Sequence, residues 1–168
     1  MKTRLVIAAL VLITNFSTSF AQSTATATAT ATIVTPISIS KTADMSFGNI
    51  AVNATTGGTV VLATGGTRTS TSGVTLPATS GTVTAAAFTV TGSGSYTYTI
   101  TLPTTVTLTH SGGVETMSAG SFTSNPSGTG TLSSGTQNVA VGSTLTVAAG
   151  QLAGVYTSGN FNVTVNYN

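Results

Sequence analysis

The sequence predicts an all-β protein, a sandwich of antiparallel strands with a long strand at its N-terminus. Two stretches alternate strictly between two kinds of residue, residues 24–33 near the start and residues 160–168 at the end. A period of two is typical of a strand with one buried face. Between them, turn signals recur about every eight to twelve residues without a helical period, the spacing of a β-sandwich.

Residues 1–21 are predicted to be a secretory signal peptide. Lys2 and Arg4 precede a nine-residue apolar run at 5–13, and the small residues around Ala21 predict cleavage after it. The apolar run is too short to span a bilayer as a helix, although a retained membrane anchor is the alternative. The expected mature chain, residues 22–168, has no membrane span and passes through the periplasm to the cell surface or the medium.

The mature chain is almost free of charge. After cleavage Lys41 and Arg68 are balanced by Asp44 and Glu115, so the net charge is zero. A chain without a basic patch cannot neutralise phosphates, which excludes nucleic acid as an expected partner. Low charge also gives little protection against self-association, which is acceptable in a filament subunit. The absence of cysteine excludes disulfides and thiolate metal sites.

Residues 22–35, here called the ladder, are predicted to form a separate N-terminal strand ahead of a sandwich domain at residues 36–168. Alanine alternates with threonine, so the alanines share one face of the strand and the threonines the other. Pro36 interrupts this strand and requires an edge or a bend. Ile37 and Ile39 then continue the odd-numbered face.

Glycine pairs and prolines divide the sandwich domain into strands. Residues 45–50 predict a short strand bent at Gly48, and residues 96–102 show the clearest internal alternation before Pro103 ends it. The other predicted strands are residues 59–63, a short edge segment within 68–76, 83–90, 106–108, one or two strands within 114–122, then 129–132, 137–141, 144–147 and 160–168.

The ionisable residues do not form a catalytic or metal-binding pattern. His110 is the only histidine, and Asp44 and Glu115 are the only acids. There is no Gly-x-Ser-x-Gly motif, and glycosidase chemistry would require both acids to face each other. We therefore expect no enzyme activity, no catalytic residue, no cofactor and no metal, with His110 and Arg68 as solvated surface residues.

Several segments resemble a bacterial family of exported domains of unknown function. They are residues 47–50, 86–92, 96–103, 127–132, 154–157 and 161–167. These segments extend over nearly the whole mature chain. The resemblance implies an exported β-sandwich and does not imply an activity.

The two ends of the chain resemble those of spore coat protein U-type and other chaperone–usher pilin subunits. Such subunits are immunoglobulin-like sandwiches with Greek-key-like strands that lack one strand, which an N-terminal extension of the neighbouring subunit supplies. Their last strand alternates, ends in a penultimate aromatic residue and binds a periplasmic chaperone. Here Tyr167 is penultimate. The resemblance implies a homopolymer, or a polymer with related subunits, and a periplasmic chaperone as partners.

The resemblance also implies an assembly interface with two sides. The ladder would insert its odd-numbered face, and the last strand would receive it. The residues of this interface are Ala25, Ala27, Ala29, Ala31, Ile33, Phe161, Val163, Val165 and Tyr167. The chain departs from many pilins in having no disulfide and in inserting small alanines, which bury little area each. Pairing of the ladder within its own domain is the alternative.

The sequence therefore predicts a non-catalytic structural subunit of a bacterial cell-surface filament or coat, assembled by β-strand donation. A self-contained secreted binding module or adhesin is the alternative, with a sugar as one class of ligand for Thr, Asn and Tyr side chains. Ice binding by ranks of threonine would require stacked repeats, which the sequence lacks. Whether the ladder is paired within one chain distinguishes the first two functions.

Overall fold

The computed structural model describes residues 21–168. The chain divides into two units, Met1–Thr32 and Ile33–Asn168. The predicted signal peptide lies outside the described residues, apart from Ala21. Residues 21–168 contain no helix that is long and apolar enough to cross a membrane.

The described part of the first unit, residues 21–32, has no regular secondary structure, and all of its side chains are exposed. Residues 33–37, at the start of the second unit, also lie outside any strand. The strand predicted for residues 22–35 thus has no pairing partner among the described residues, and its pairing stays a prediction.

The second unit contains thirteen strands, and every pairing between them is antiparallel. In chain order they are β1 Ser38–Ala43, β2 Ala51–Val52, β3 Gly58–Leu62, β4 Arg68–Ser70, β5 Val74–Thr75, β6 Ala86–Thr91, β7 Thr97–Thr101, β8 Thr105–His110, β9 Thr116–Asn125, β10 Thr129–Thr131, β11 Thr136–Val147, β12 Tyr156–Ser158 and β13 Thr164–Tyr167.

The strands form one large sheet and two small ones. The large sheet has eight strands, in the order β1-β6-β11-β9-β8-β12, with β3 beside β11 and β4 beside β3. The second sheet has the order β10-β7-β13, and β2 pairs with β5. Most neighbours within a sheet are distant in sequence, as Greek-key-like connections require. The predicted fold class, an all-β sandwich, is confirmed.

Strand β11 is the centre of the large sheet. Its first half pairs with β6 and its second half with β3 on one side, while β9 pairs with residues 140–146 on the other side. We expected two short strands here, at residues 137–141 and 144–147. They are joined through Gly142, where a Cβ atom would lie 2.2 Å from the carbonyl oxygen of Leu62. The absence of a side chain therefore lets β3 approach and keeps the strand continuous.

Two apolar clusters form the core of the second unit. The first contains Ala86, Phe88, Val90, Tyr98, Ile100, Leu132, Val139, Val141 and Val165. The second contains Phe47, Val60, Leu62, Val74, Ala119, Leu145 and Val147. Phe122 packs against both clusters. Burial of these side chains supplies the main free energy that favours folding, since the chain has no cysteine.

Residues 45–50 form a loop, not the predicted short strand. Ser46 makes an isolated bridge to Thr84, and the backbone then turns at Gly48, which has a φ of 67°. This left-handed conformation is accessible to glycine at little cost. The turn directs Phe47 into the second cluster, where only 8% of its surface is exposed.

The half-buried guanidinium group of Arg68 holds that loop in place. It donates hydrogen bonds to the carbonyl oxygens of Phe47, of Asn49 at 2.7 Å and of Ser80 at 3.3 Å. The expectation that Arg68 is a solvated surface residue is therefore wrong. Its acceptors lie 12 to 21 positions away in the chain, so local sequence could not reveal them.

Candidate functional site

The C-terminal residues 160–168 present one apolar and one polar face. Phe161, Val163 and Tyr167 are half-buried and Val165 is buried, whereas the residues between them are exposed. All four apolar side chains pack against the first core cluster. The alternation in the sequence thus gave the correct orientation of every residue in this segment.

Strand β13 lies at the edge of its sheet. It pairs with β7 alone, where Val165 lies opposite Ile100 and Tyr167 opposite Tyr98. The preceding residues 159–163 make no backbone hydrogen bond to any other described residue. The strand predicted for residues 160–168 is therefore limited to residues 164–167. Residues 159–163 and the free side of β13 together leave a continuous run of unpaired backbone groups, and such groups are a template for another strand.

The hydroxyl group of Tyr167 connects the end of this strand to the start of the second unit. It accepts a hydrogen bond from the backbone N–H of Ser93 at 2.6 Å and donates one to the carbonyl oxygen of Thr35 at 2.9 Å. The ring packs against Tyr96 with 5.6 Å between centroids. Gly92 permits this packing, because a Cβ there would lie 2.2 Å from the hydroxyl oxygen.

A second edge strand, β1, borders the same apolar cluster. It pairs with β6 alone and also contacts β13. Ile37 and Ile39 are half-buried against the cluster, so the odd-numbered face is the inner face here, as the sequence predicted. The two open edges lie near each other over apolar side chains that are only partly covered.

The N-terminal half of the predicted interface is exposed. Ala25, Ala27, Ala29 and Ala31 are exposed, and Ile33 has 94% of its surface accessible. The structure therefore brings together the four C-terminal residues of the interface and leaves the five ladder residues without burial.

A model of a family described as a domain of unknown function, DUF4402, matches residues 37–167. The chain belongs to this family. The match starts beyond the ladder and includes all thirteen strands. No curated protein and no solved structure matches the chain.

Charged groups are sparse on the DUF4402 domain. Lys41 and Asp44 form a surface ion pair at 2.5 Å, and both side chains are well exposed, so the pair adds little stability. Burial raises the pKa of Tyr98, whose hydroxyl donates to Oε1 of Gln137 at 2.6 Å. Residues 21–168 contain no cluster of three or more His, Asp or Glu side chains that could hold a metal ion.

The ring of His110 contacts two loops of the domain, one that contains Gly112 and one that contains Ala153. Its Nδ1 accepts a hydrogen bond from the backbone N–H of Gly112 at 3.1 Å, and its Nε2 lies 3.2 Å from the carbonyl oxygen of Ala153. This network assigns the proton to Nε2. The ring also meets Tyr156 edge-on, 5.0 Å between centroids. The expectation of a solvated turn residue is therefore wrong, because backbone groups occupy both ring nitrogens.

Two neighbouring clefts of the domain were not foreseen from the sequence. They have volumes of about 550 and 390 Å³ and share Pro103 and Thr105 in their walls. Their other residues come from strands that are distant in sequence, including β9, β11 and the segment before β13. Local spacing cannot predict this arrangement, because it depends on strand order and register.

Proposed function

We propose that this protein is a non-catalytic structural subunit of a bacterial cell-surface filament or coat. In this proposal the ladder of one copy adds as a strand to the open edge at residues 159–167 of the next copy. One observation carries the proposal: the same chain has an exposed alternating segment without a strand partner and an alternating edge strand with one side unpaired.

The acceptor edge has apolar surface to bury. Phe161, Val163 and Tyr167 are half-buried on their own sheet, and an added strand would cover part of the remaining area. Each square ångström of apolar surface removed from water contributes about 25 cal/mol. The new backbone hydrogen bonds would satisfy the unpaired edge, which gives the association direction and register as well as free energy.

The donor segment matches that edge in length and chemistry. Its ten alternating residues, 24–33, extend over roughly 33 Å, and the nine residues of the acceptor edge over roughly 30 Å, at about 3.3 Å per residue. Alanine side chains are small enough to pack against the larger aromatic and valine side chains without displacing them. The threonine face would remain in water, where its hydroxyls need no protein partner.

The proposal includes a periplasmic chaperone, because the open edge needs to be covered before assembly. An exposed strand edge with apolar side chains promotes aggregation unless it is covered. The described chain has few charges that would oppose such association. A chaperone that covers residues 159–167 during export would be displaced when the ladder of a neighbouring subunit arrives.

A pair of substitutions on opposite faces of the ladder tests the proposal. Ala29→Asp places a charge on the inserting face, and Thr28→Asp places the same charge on the outer face, one residue away. We expect light scattering to show multimers for the mature chain and for Thr28→Asp, but monomers for Ala29→Asp, since burial of an unpaired carboxylate is costly. Identical behaviour of the two variants, or a wild-type chain that is always monomeric, would contradict strand donation.

A self-contained binding module is the second candidate, and one contact favours it. The hydrogen bond from Tyr167 to the carbonyl oxygen of Thr35 places the C-terminal end of the ladder beside β13. A ladder that folded back would then complete its own sandwich. This function predicts a stable monomer in which the ladder resists proteolysis, and limited digestion of the mature chain would detect it.

A further inference from the structure

The register of the large sheet aligns hydroxyl groups on its outer face. Ser118 on β9 lies between Thr107 on β8 and Thr146 on β11, and the same row continues to Thr59 on β3. Neighbouring strands are about 4.8 Å apart, and alternate residues along a strand about 6.7 Å apart. The outer face is therefore a two-dimensional array of hydroxyl and methyl groups, formed by residues that are scattered along the sequence.

The array contains a groove. In the next row Gly120 lies between Thr105 and Thr144, and without a side chain it leaves a depression between them. Ser121, with a φ of 46°, lies in the bulge of the β9–β11 pairing. The next residue, Phe122, packs against both core clusters and also lines the cleft. The result is an open cleft with a volume of about 550 Å³.

An aromatic pair joins this cleft to the adjacent one of about 390 Å³. Phe122 lines the larger cleft and Phe161 the smaller, and their ring centroids are 5.6 Å apart at an angle of 45°. Pro103 and Thr105 border both clefts. A single elongated ligand could therefore lie across Pro103 and contact both aromatic side chains.

The hydroxyl groups in the groove are free to bind a ligand. Within residues 21–168, no side-chain hydrogen bond includes the hydroxyl of Thr105, Ser118 or Thr144, and all three residues line the larger cleft. A few other surface hydroxyls are paired with side chains, as in the contact of Thr59 with Thr71 at 2.8 Å, so the groove is distinguished by the close grouping of its free hydroxyls around Gly120. Each free hydroxyl can both donate and accept a hydrogen bond.

The walls of the groove exclude most other classes of ligand. No ionisable side chain among the described residues lines either cleft, so phosphate, nucleotide and acidic polymers would find no counter-charge. An extended peptide needs unpaired backbone groups, but β9 and β11, which form the floor of the larger cleft, are each paired on both sides there. Hydroxyl groups combined with aromatic and proline surfaces suit a ligand that is polyhydroxylated, neutral and partly apolar.

We propose that this groove binds a neutral oligosaccharide. Thr105, Ser118 and Thr144 exchange hydrogen bonds with its hydroxyl groups, and Phe122 contacts the apolar face of a sugar ring. The hydroxyl groups of Thr105, Ser118 and Thr144 lie on the outer face of the large sheet, away from the ladder's proposed acceptor edge. The smaller cleft is lined by residues of that edge, including Phe161, so a donated ladder would compete with a ligand that extends into it.

Calorimetric titration of the mature chain with neutral hexasaccharides tests this proposal. The panel is maltohexaose, cellohexaose, laminarihexaose and mannohexaose, with hexagalacturonate and a heparin hexasaccharide as charged comparisons. We expect at least one neutral hexasaccharide to bind with a dissociation constant below about 1 mM and the charged ones not to bind. Failure of all four neutral hexasaccharides, or equal binding of the charged ones, would overturn the proposal.

Two variants and a control locate the site. Gly120→Val fills the depression, and it should fold because a Cβ there would be 3.5 Å from the carbonyl oxygen of Thr104, an ordinary contact. Thr144→Val removes one hydroxyl at nearly constant volume. Each should weaken binding about tenfold, whereas Thr69→Val, on the same face but outside the groove, should not change it. Equal effects of Thr144→Val and Thr69→Val would place the ligand elsewhere and contradict the assignment.

Discussion

At the scale of single residues, a few side chains determine loops that local sequence leaves open. Arg68 holds the loop at residues 47–49 through two of its backbone carbonyls and bonds to a third at Ser80, and His110 links its own loop to Ala153. The sequence predicted the inward face of residues 161–167 correctly, because alternation is a local property. It could not predict the partners of Arg68 or His110, because those contacts arise only when distant segments meet.

The buried hydroxyl of Tyr98 predicts a loss of stability at alkaline pH. Burial raises the pKa of this group in the folded protein, whereas the unfolded chain releases the proton near pH 10. The unfolded state therefore binds fewer protons above about pH 10, so the free energy of unfolding falls as the pH rises through this range, by up to about 1.4 kcal/mol per pH unit.

Denaturant unfolding from about pH 8 to about pH 11 measures this effect. Tyr98→Phe keeps the ring and removes the ionisable group, so we expect its stability to change less over the same range. The variant also leaves Gln137 without its partner, which lowers stability by a similar amount at every pH and does not alter the slope. Parallel pH profiles for the two proteins would show that Tyr98 is not responsible.

At the scale of elements, strand positions were easier to predict than strand lengths. The alternation at residues 96–102 identified β7, and the strand expected at 83–90 corresponds to β6. Strand β11 was predicted as two pieces, because Gly142 resembles a break in the sequence. Strand β9 was predicted as one or two strands within residues 114–122, whereas it runs from Thr116 to Asn125. Pairing with neighbours on both sides holds these long strands together, and no local pattern records that pairing.

Gly142 provides a test of this explanation. A Cβ at this position would overlap the carbonyl oxygen of Leu62, so Gly142→Ala must separate β3 from β11. We expect the free energy of unfolding to fall by about 2 to 3 kcal/mol, the usual cost of overpacking. Gly65 has no atom within 4 Å of its Cβ position, so Gly65→Ala should change stability little. Similar thermal midpoints for the two variants would contradict the explanation.

At the scale of the whole molecule, the sequence predicted the fold class and showed an alternating segment near each end of the chain. It did not predict the order of the strands. The groove illustrates the difference: Thr105, Gly120 and Thr144 become neighbours only through the register of β8, β9 and β11. The proposed assembly depends far less on register, because its donor and acceptor are continuous segments whose alternation is visible in the sequence.

Strand donation is the central claim, and complementation by a synthetic ladder tests it most directly. The thermal midpoint of a protein beginning at Pro36 would be measured with and without a peptide of residues 23–35, and with the same peptide carrying Ala29→Asp. We expect the natural peptide to bind and raise the midpoint, the Ala29→Asp peptide to have no effect, and the chain from Gln22 to form multimers. A shortened protein as stable as the full chain, unchanged by either peptide, together with a monomeric full chain, would contradict the claim.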